Sequence, residues 1–377
     1  MFHLTCALLS LYLMIRFVYP LRIAAAWRMA IGMLLLVVSM NRLLSTWIFG
    51  DMFSPEIPGW IIGLIGAMFG AMLFLSCFML IGDLVGALAW LGGGRTASRT
   101  LLCHWRRYAG GIAIALGLLS AWNGSRLPEV RHVPLQIAQL PAELSGLRLV
   151  QLSDTHVSPL LDRSWLKRVV DQTNAENPDV IVITGDLIDG WVRNRESDIA
   201  PLAELRARNG VYASLGNHEY YFDADAWTSQ FEKLGIHVLR NSRITIVHNE
   251  RKLVLAATTD EAAPEFDHAG PAANLAVGQT LPEDVVVLLR HRPTGLNESQ
   301  QLGVDLQLSG HTHGGMIRGL DQVIARANGG FVSGLYQVGT TQLYVSNGTG
   351  IWNGFPLRLG RPPEITVFEF SPEAGQN

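Results

Sequence analysis

Apolar and polar positions alternate on two scales along this chain of 377 residues. In the first third, apolar residues come in long runs with few charges, at 2–19, 29–49, 60–91 and 108–122. A helix needs about 20 apolar residues to cross a bilayer's hydrocarbon core. The second run is adequate and the third can span with tilt, whereas the first and fourth are short. Beyond residue 124 the runs shrink and become β-branched, and amphipathic stretches separate them. Strands are expected at 129–137, 147–152, 179–184, 210–215, 253–257, 285–289, 304–308, 342–346 and 365–370. A helix is expected at 165–175, with Leu166, Val169 and Val170 on one face. Short strands alternating with helices are the pattern of stacked βα units and an α/β fold. The expected organisation is a transmembrane domain of about four helices at 1–123, a linker at 124–146, a catalytic domain at 147–371 and a tail at 372–377.

Charge divides the chain at the same place. Residues 1–123 carry eight Arg, no Lys and three acids (Asp51, Glu56, Asp83), a formal charge of +5. The remainder carries −8, and the two give the −3 of the whole. An acidic second part excludes nucleic acid as the main partner, because phosphate-backbone affinity needs clustered cations. Cys6, Cys77 and Cys103 all lie in the apolar third, so the second part offers neither disulfides nor thiolate ligands. The N-terminal residues before the first run carry no Lys or Arg and no small-x-small site follows it, which argues against a cleaved signal peptide. Arg16, Arg22 and Arg28 cluster at the first connection, and Arg95, Arg99, Arg106 and Arg107 at the third, while the second connection is acidic. By the positive-inside rule, four crossings then leave the catalytic domain on the extracytoplasmic, or periplasmic, side of the cell membrane. Gly59, Gly63, Ala67 and Ala71 form a small-residue stripe in the third run, with Gly66 and Gly70 alongside. Such a stripe serves packing within the helices or a homodimer. Arg42 and Asp83 are expected to be structurally paired or to snorkel. Two such groups give little from which to build a translocation path.

Five polar blocks stand in series at the carboxyl ends of expected strands. They are Asp154-Thr155-His156, Gly185-Asp186-Leu187-Ile188-Asp189, Gly216-Asn217-His218-Glu219, His291 and Gly310-His311-Thr312-His313. Open α/β sheets place their sites at strand ends, and a two-layer sheet sandwich with flanking helices would bring these ends to one rim. The blocks offer four His as ligands, two or three Asp and one Asn, enough for two metal ions sharing a carboxylate. Each block alone is weak evidence. The series is strong. The other histidines (His3, His104, His132, His237, His248, His268) form no spaced cluster and are assigned to surface or core.

The set resembles the calcineurin-like metallophosphoesterase superfamily, and within it the membrane-associated branch marked by Ser-Gly-His-Thr-His-Gly-Gly, here 309–315. The resemblance covers residues 128–371, including Leu343-Tyr344-Val345-Ser346-Asn347-Gly348 and Arg361-Pro362-Pro363-Glu364-Ile365. It implies a two-sheet β-sandwich flanked by helices and a dinuclear phosphoesterase. It implies a first metal bound by Asp154, His156, Asp186 and His313, and a second by Asp186, Asn217, His291 and His311. Imidazole and oxygen ligands without thiolate favour Mn, Fe, Zn or Co over Mg or Ca. His218 is expected as the general acid or a phosphate holder, with Glu219 orienting its ring. Asp189 is either a hydrogen-bond acceptor behind the ligands or a helix cap. Arg290 and Arg292, which flank His291, either grip phosphate or are ordinary surface charges. Gly314 and Gly315 are expected to let the backbone pass close to the metals.

Three functions remain open from sequence. The first is a membrane-anchored phosphoesterase acting on a phosphate ester or pyrophosphate outside the cell membrane. The second is a cytoplasmic-face pyrophosphatase acting on a nucleotide-linked lipid. The third is a metal-binding sensor without turnover, against which the complete ligand set and the Asn217-His218 pair argue. Tyr220, Tyr221, Phe222, Trp352 and Phe355 lie near the motifs. They either fill the core or form an apolar rim for an acyl or isoprenoid chain, and the short tether to the helices favours a lipid-linked substrate.

Overall fold

The computed structural model describes residues 2–137, 140–281 and 283–372, those at 2, 93 and 95–101 by backbone alone. The expected tail lies outside the described residues from 373 onward, as do the side chains of Arg95 and Arg99. The chain divides into two compact units, Met1–Gly124 with Asn353–Arg358, and Ser125–Trp352 with Leu359–Asn377. Asn353–Arg358, which sequence alone assigned to the catalytic domain, clusters with the helices.

The first unit is helical: α1 (Phe2–Leu13), α2 (Ala25–Ser39), α3 (Asn41–Phe49) and α4 (Gly59–Gly124), the last broken at Gly94. The expectation of about four membrane-crossing helices is corrected here. Among the described residues one helix, Gly59–Gly92, is long and apolar enough to cross a membrane. The second run is a pair of helices, α2 and α3, bent by 61° where Met40 leaves helical geometry (ψ 10°), and it brings the number to two if counted as one span. The first run yields only the short apolar helix His3–Val18. The fourth is shortened by Arg106 and Arg107 but returns antiparallel along its predecessor. Gly86 meets Leu102, Gly82 meets Trp105, and Gly117 meets Ala67 and Ala71. Trp105 Nε1 also donates to the Phe78 carbonyl at 2.7 Å. The left-handed φ of 75° at Gly94 makes this reversal possible.

The Ala67 and Ala71 part of the small-residue stripe, with Gly66 and Gly70, is packed inside the unit. Gly117 packs on Ala67 and Ala71, Gly70 on Leu357 and Gly117, and Gly66 on Pro356. Arg42 and Asp83 have structural partners: the Arg42 guanidinium donates to the Gly354 carbonyl, and Asp83 accepts from Tyr12 and Arg16. Outward-facing Leu8, Trp47, Leu84, Leu88, Ile114 and Leu118 are exposed. So much apolar surface on one unit is stable against hydrocarbon rather than water. Between α2, α3 and the start of α4 lies an apolar cavity of about 290 Å³, lined by Leu34, Val37, Leu44, Ile48, Ile62 and Ile65 among others.

The second unit stacks two mixed sheets. The first has the order β1 (Glu129–Ile137), β12 (Glu364–Pro372), β2 (Arg148–Leu152), β3 (Val180–Thr184), β4 (Val211–Ser214), β5 (Ile236–Val238). The second has the order β10 (Gly334–Val338), β11 (Thr341–Val345), β9 (Leu306–Ser309), β8 (Val285–Leu289), β7 (Arg251–Ala257), β6 (Ser242–His248). Their facing side chains, among them Leu149, Val182, Leu255, Val287, Leu308 and Phe368, form one buried core. Helix α5 (Arg163–Ala175) flanks the first sheet, with Trp165, Leu166, Val169 and Val170 buried and Asp162 capping its first turn. On the second sheet Ala273, Ala276 and Val277 pack on Val254, Val286 and Leu288. The fold is thus the expected two-sheet sandwich flanked by helices. Strands β2, β3 and β4 run parallel in one sheet, and β7, β8 and β9 in the other. Their carboxyl ends therefore share a direction within each sheet and carry the five polar blocks.

Candidate metal centre

Each block leaves its strand through a backbone reversal that turns polar side chains inward. Asp154, His156, Asp186, His311 and His313 all have left-handed φ, between 44° and 67°. Non-glycine residues rarely adopt that conformation, and its clustering marks functional sites. Two glycines leave no room for a side chain. A Cβ on Gly216 would collide with the Asp186 carboxylate, and one on Gly310 with Ser153 Oγ and Asp154 Oδ2. Gly314 and Gly315, directly after His313, both have positive φ, and a Cβ on them would meet Asn347 and Asp321.

Among the described residues three groups of side chains converge with geometry able to hold a metal ion: Asp154–His156–His313, Asp186–His291–His311, and His156–Asp189–His218, the last drawn together by hydrogen bonds of both rings to Asp189. In the first, His156 Nε2 lies 3.2 Å from His313 Nε2, and Asp154 Oδ1 lies 3.7 Å from His313 Nε2. In the second, His291 Nε2 lies 3.2 Å from Asp186 Oδ2. Asp186 Oδ2 also lies 3.8 Å from His156 Nε2, so one carboxylate oxygen stands between the groups. The other oxygen, Oδ1, accepts the His218 backbone N–H at 2.8 Å. Asp154 is fixed by the His311 N–H at 3.0 Å and by the Ser153 hydroxyl.

The partners behind the rings decide which nitrogen faces the centre. His291 Nδ1 lies 2.7 Å from the Thr184 carbonyl, which requires Nδ1–H and leaves Nε2 as the nitrogen that faces the centre. His156 Nδ1 lies 2.8 Å from Asp189 Oδ1, with the same result. Asn217 Oδ1 is buried without a hydrogen-bond partner, and His291 Nε2 is buried with only the Asp186 carboxylate, 3.2 Å away, facing it. Such atoms are costly to bury, and both lie on residues expected to bind the second metal. The donor set therefore fits two divalent cations.

Asp189 is fully buried, and its Oδ1 also sits 2.7 Å from His218 Nδ1. Orienting His218, expected of Glu219, thus falls to Asp189. Glu219 instead accepts the backbone N–H groups of Asp186, Leu187 and Gly216 at 2.9, 2.7 and 2.7 Å, tying two loops together. Tyr221 and Trp352 flank the His218 ring, with centroids 5.3 and 6.1 Å away. Tyr220 and Phe222 are buried in the core.

A family model for calcineurin-like phosphoesterases matches residues 147–315. The chain is 34% identical over 319 residues to a transmembrane protein with metallophosphoesterase domain from Bos taurus, covering 79% of this chain and 71% of that one. The chain belongs to the calcineurin-like phosphoesterase family. It is 36% identical over 264 residues to the protein of the same description from Danio rerio, covering 68% of this chain and 60% of that relative's length. It is also 31% identical over 271 residues to an uncharacterized metallophosphoesterase of Bacillus subtilis, covering 68% of this chain and 93% of that one. Family membership makes this a metal-dependent phosphohydrolase; the relatives from Bos taurus and Danio rerio are named as transmembrane, and this chain carries one helix, Gly59–Gly92, long and apolar enough to cross a membrane.

The electrostatics of this metallophosphoesterase centre fit a site built for cations. Burial pushes Asp154 up from the usual carboxylate range, and burial with the Asp186 charge pushes Glu219 up to about 7. Burial lowers His218 and His291, but Asp186 outweighs it, joined by Asp189 at His218 and by Asp154 at His291. The two rings end at about 9 and about 10. Asp186 and Asp189 are held well below the usual range by those imidazoles, against their burial. The buried carboxylates thus gather protons onto neighbouring rings, and bound cations would take the place of those protons.

Sequence reading missed the polar support beneath the ligands. Gln151 Nε2 donates to Thr184 Oγ1 at 2.9 Å, and Thr184 Oγ1 to Ser153 Oγ at 2.8 Å. Polar residues facing inward on otherwise apolar strands were the available signal. Of the flanking arginines, Arg290 is buried and paired with Glu261 and Glu298 at 3.0 and 3.4 Å, and so is not a surface charge. Arg292 is paired through Nε and Nη2 with Asp260 at 3.0 Å each.

Proposed function

We propose that this protein is a membrane-anchored, two-metal phosphoesterase. Asp154, His156, Asp186 and His313 would hold one ion, and Asp186, Asn217, His291 and His311 the other. The observation that carries the reading is Asp186 Oδ2, placed 3.2 Å from His291 Nε2 and 3.8 Å from His156 Nε2. When bound, two divalent cations supply the Lewis acidity that polarises a phosphoryl group and makes water nucleophilic near neutral pH. The chain's own residues do the rest. Asp189 holds Nδ1–H of His218, which leaves His218 Nε2 to give a proton to the departing oxygen. The thiolate-free ligand set favours Mn, Fe, Zn or Co.

The catalytic domain, residues 147–371, is assigned to the extracytoplasmic face. The return arm of α4 ends at the same side as its start, next to the acidic connection 50–59. Arg106 and Arg107, with Arg95 and Arg99 in the sequence, mark the opposite, cytoplasmic end. A phosphate or pyrophosphate on a lipid is the favoured substrate. Half-exposed Tyr221 and Trp352 beside His218 support this reading. The test is hydrolysis by full-length protein in detergent, with Mn(II) or with chelator, across a panel of lipid and nucleotide phosphates. Metal-dependent turnover with preference for a lipid phosphate is expected. Two bound metals without turnover on any substrate would favour the sensor instead. Preference for soluble nucleotides would remove the lipid.

A further inference from the structure

Arg290 and Arg292 leave β8 on either side of the candidate ligand His291, yet they have different fates. Arg290 is enclosed between Glu261 and Glu298, and its side chain is 8% exposed. Arg292 is 27% exposed, while the carboxylate that holds it, Asp260, is fully buried. Asp260 takes Nε and Nη2 of the guanidinium at 3.0 Å each and also accepts the Ala262 N–H at 2.8 Å. A guanidinium has five N–H donors. With one edge locked on Asp260, both N–H groups of Nη1 and the second of Nη2 are left to meet another planar acceptor.

The position of Arg292 says what that acceptor is. It adjoins His291, and its charge disfavours protonation of His311 and of Tyr221's oxygen. The Tyr221 ring in turn lies against His218. Arg292 thus follows the ligand His291 directly in the chain, and its charge reaches Tyr221, whose ring lies against the proposed acid. A fixed, partly exposed guanidinium there suits phosphate, whose oxygens match the fork bidentately. A surface ion pair needs no buried carboxylate, and a structural one needs no exposed guanidinium.

We propose that Arg292, positioned by Asp260, grips the phosphoryl group of the substrate at the metal centre. This rests on the phosphoesterase reading above. The probe is inorganic phosphate, titrated calorimetrically into the full-length Mn(II)-loaded protein, with metal content measured on the same samples. The wild type should hold two metals and bind phosphate. Arg292→Ala should keep both metals and bind phosphate about ten- to a hundredfold more weakly, the worth of charge-assisted hydrogen bonds. On an aryl phosphate its KM should rise more than its kcat falls. Arg292→Lys should recover part of the loss, because a point charge lacks the fork, and Asp260→Asn should lose part with the guanidinium intact. Wild-type phosphate affinity in Arg292→Ala would overturn the proposal, and so would a loss that tracks loss of metal. Should the alanine variant not fold, wild-type affinity in both Arg292→Lys and Asp260→Asn would overturn it equally. Failure of the phosphoesterase reading is distinguishable, because it shows in the wild type as two metals without hydrolysis or phosphate binding.

Discussion

Replacing Asp189 with Asn removes a charge that two imidazoles share. Asp189 Oδ1 stands 2.8 Å from His156 Nδ1 and 2.7 Å from His218 Nδ1, and burial keeps water from substituting for it. An amide oxygen can still accept from both rings, but as a neutral acceptor. Charge-assisted hydrogen bonds are worth about 1.5–3 kcal/mol and neutral ones about 0.5–1.5 kcal/mol, so each bond weakens by about 1–1.5 kcal/mol. Two bonds give about 2–3 kcal/mol, or roughly a 30- to 150-fold effect at 1.36 kcal/mol per tenfold. That agrees with the roughly 10- to 100-fold cost of removing a partner behind a metal ligand.

The two rings divide the loss between two observables. The part carried by His156 should appear as weaker metal binding, measured by competition with a chelator. The part carried by His218 should persist at saturating metal as lower kcat, and most strongly for poor leaving groups, which need the proton. Backbone bonds at Asp189, from its N–H to Val157 and from Arg195 to its carbonyl, survive the substitution, so the fold should hold. Wild-type kcat and wild-type metal affinity in Asp189→Asn would refute the argument that this carboxylate sets both rings.

Asp186→Asn should lose metal and nearly all activity while remaining folded, since both ligand groups meet at its Oδ2; two metal equivalents retained by mass spectrometry would sink the bridging assignment. His218→Ala should keep both metals and turn over about 10²- to 10⁴-fold more slowly, with a smaller deficit on aryl phosphates; equal deficits for good and poor leaving groups would show that His218 is not the acid. Metal-free protein should lose thermal stability as pH rises from 6.5 toward about 10, because His218 and His291 are raised to about 9 and about 10. A raised group contributes stability below its unfolded value and loses it as pH passes through the folded one. Mn(II)-loaded protein should lack this fall, and a metal-free melting temperature that is level or rises over that window would contradict the assignment.

Most strands legible in sequence are buried on both faces; β1, an edge strand expected at 129–137, is the exception. Strands β2, β3, β4, β8, β9 and β11 read as apolar runs because the sandwich core lies on one side and helices or loops on the other. The strands not foreseen, β5, β6 and β10, are all sheet edges. Edge strands are half solvated, so β6 carries Arg243, Thr245 and His248 among its apolar positions and shows no clean run. That Asp154, His156, Asp186, His291, His311 and His313 gather into buried groups was legible because chemistry restricts their types and strand ends fix their places. Asp189 and Glu219 were not, since two carboxylates near one histidine in sequence do not say which turns toward the ring. Nor could sequence show that Asn353–Arg358 packs among the helices, because that contact joins positions far apart in the chain. The helix count failed for a third reason. Apolar length alone does not reveal a bend at Met40, and the first and fourth runs are too short or too charged to add a span.

The backbone of the site gives the last step. Five candidate ligands occupy left-handed conformations that cost L-residues free energy, although Asp and His are not the most heavily penalised. Nothing in the sandwich core demands those conformations, since the strands end before each one. They are held by local bonds: Asp154 N–H to the Gly185 carbonyl, His156 N–H to the Asp186 carbonyl, and Gly310 N–H to the His291 carbonyl. Each of these joins one ligand loop to another rather than a loop to the core. The loops therefore support one another, and a cation bridging their side chains would tighten the same set of connections. Metal binding and loop order are then coupled, and chelation should loosen the strand-end loops while leaving the sandwich beneath them folded.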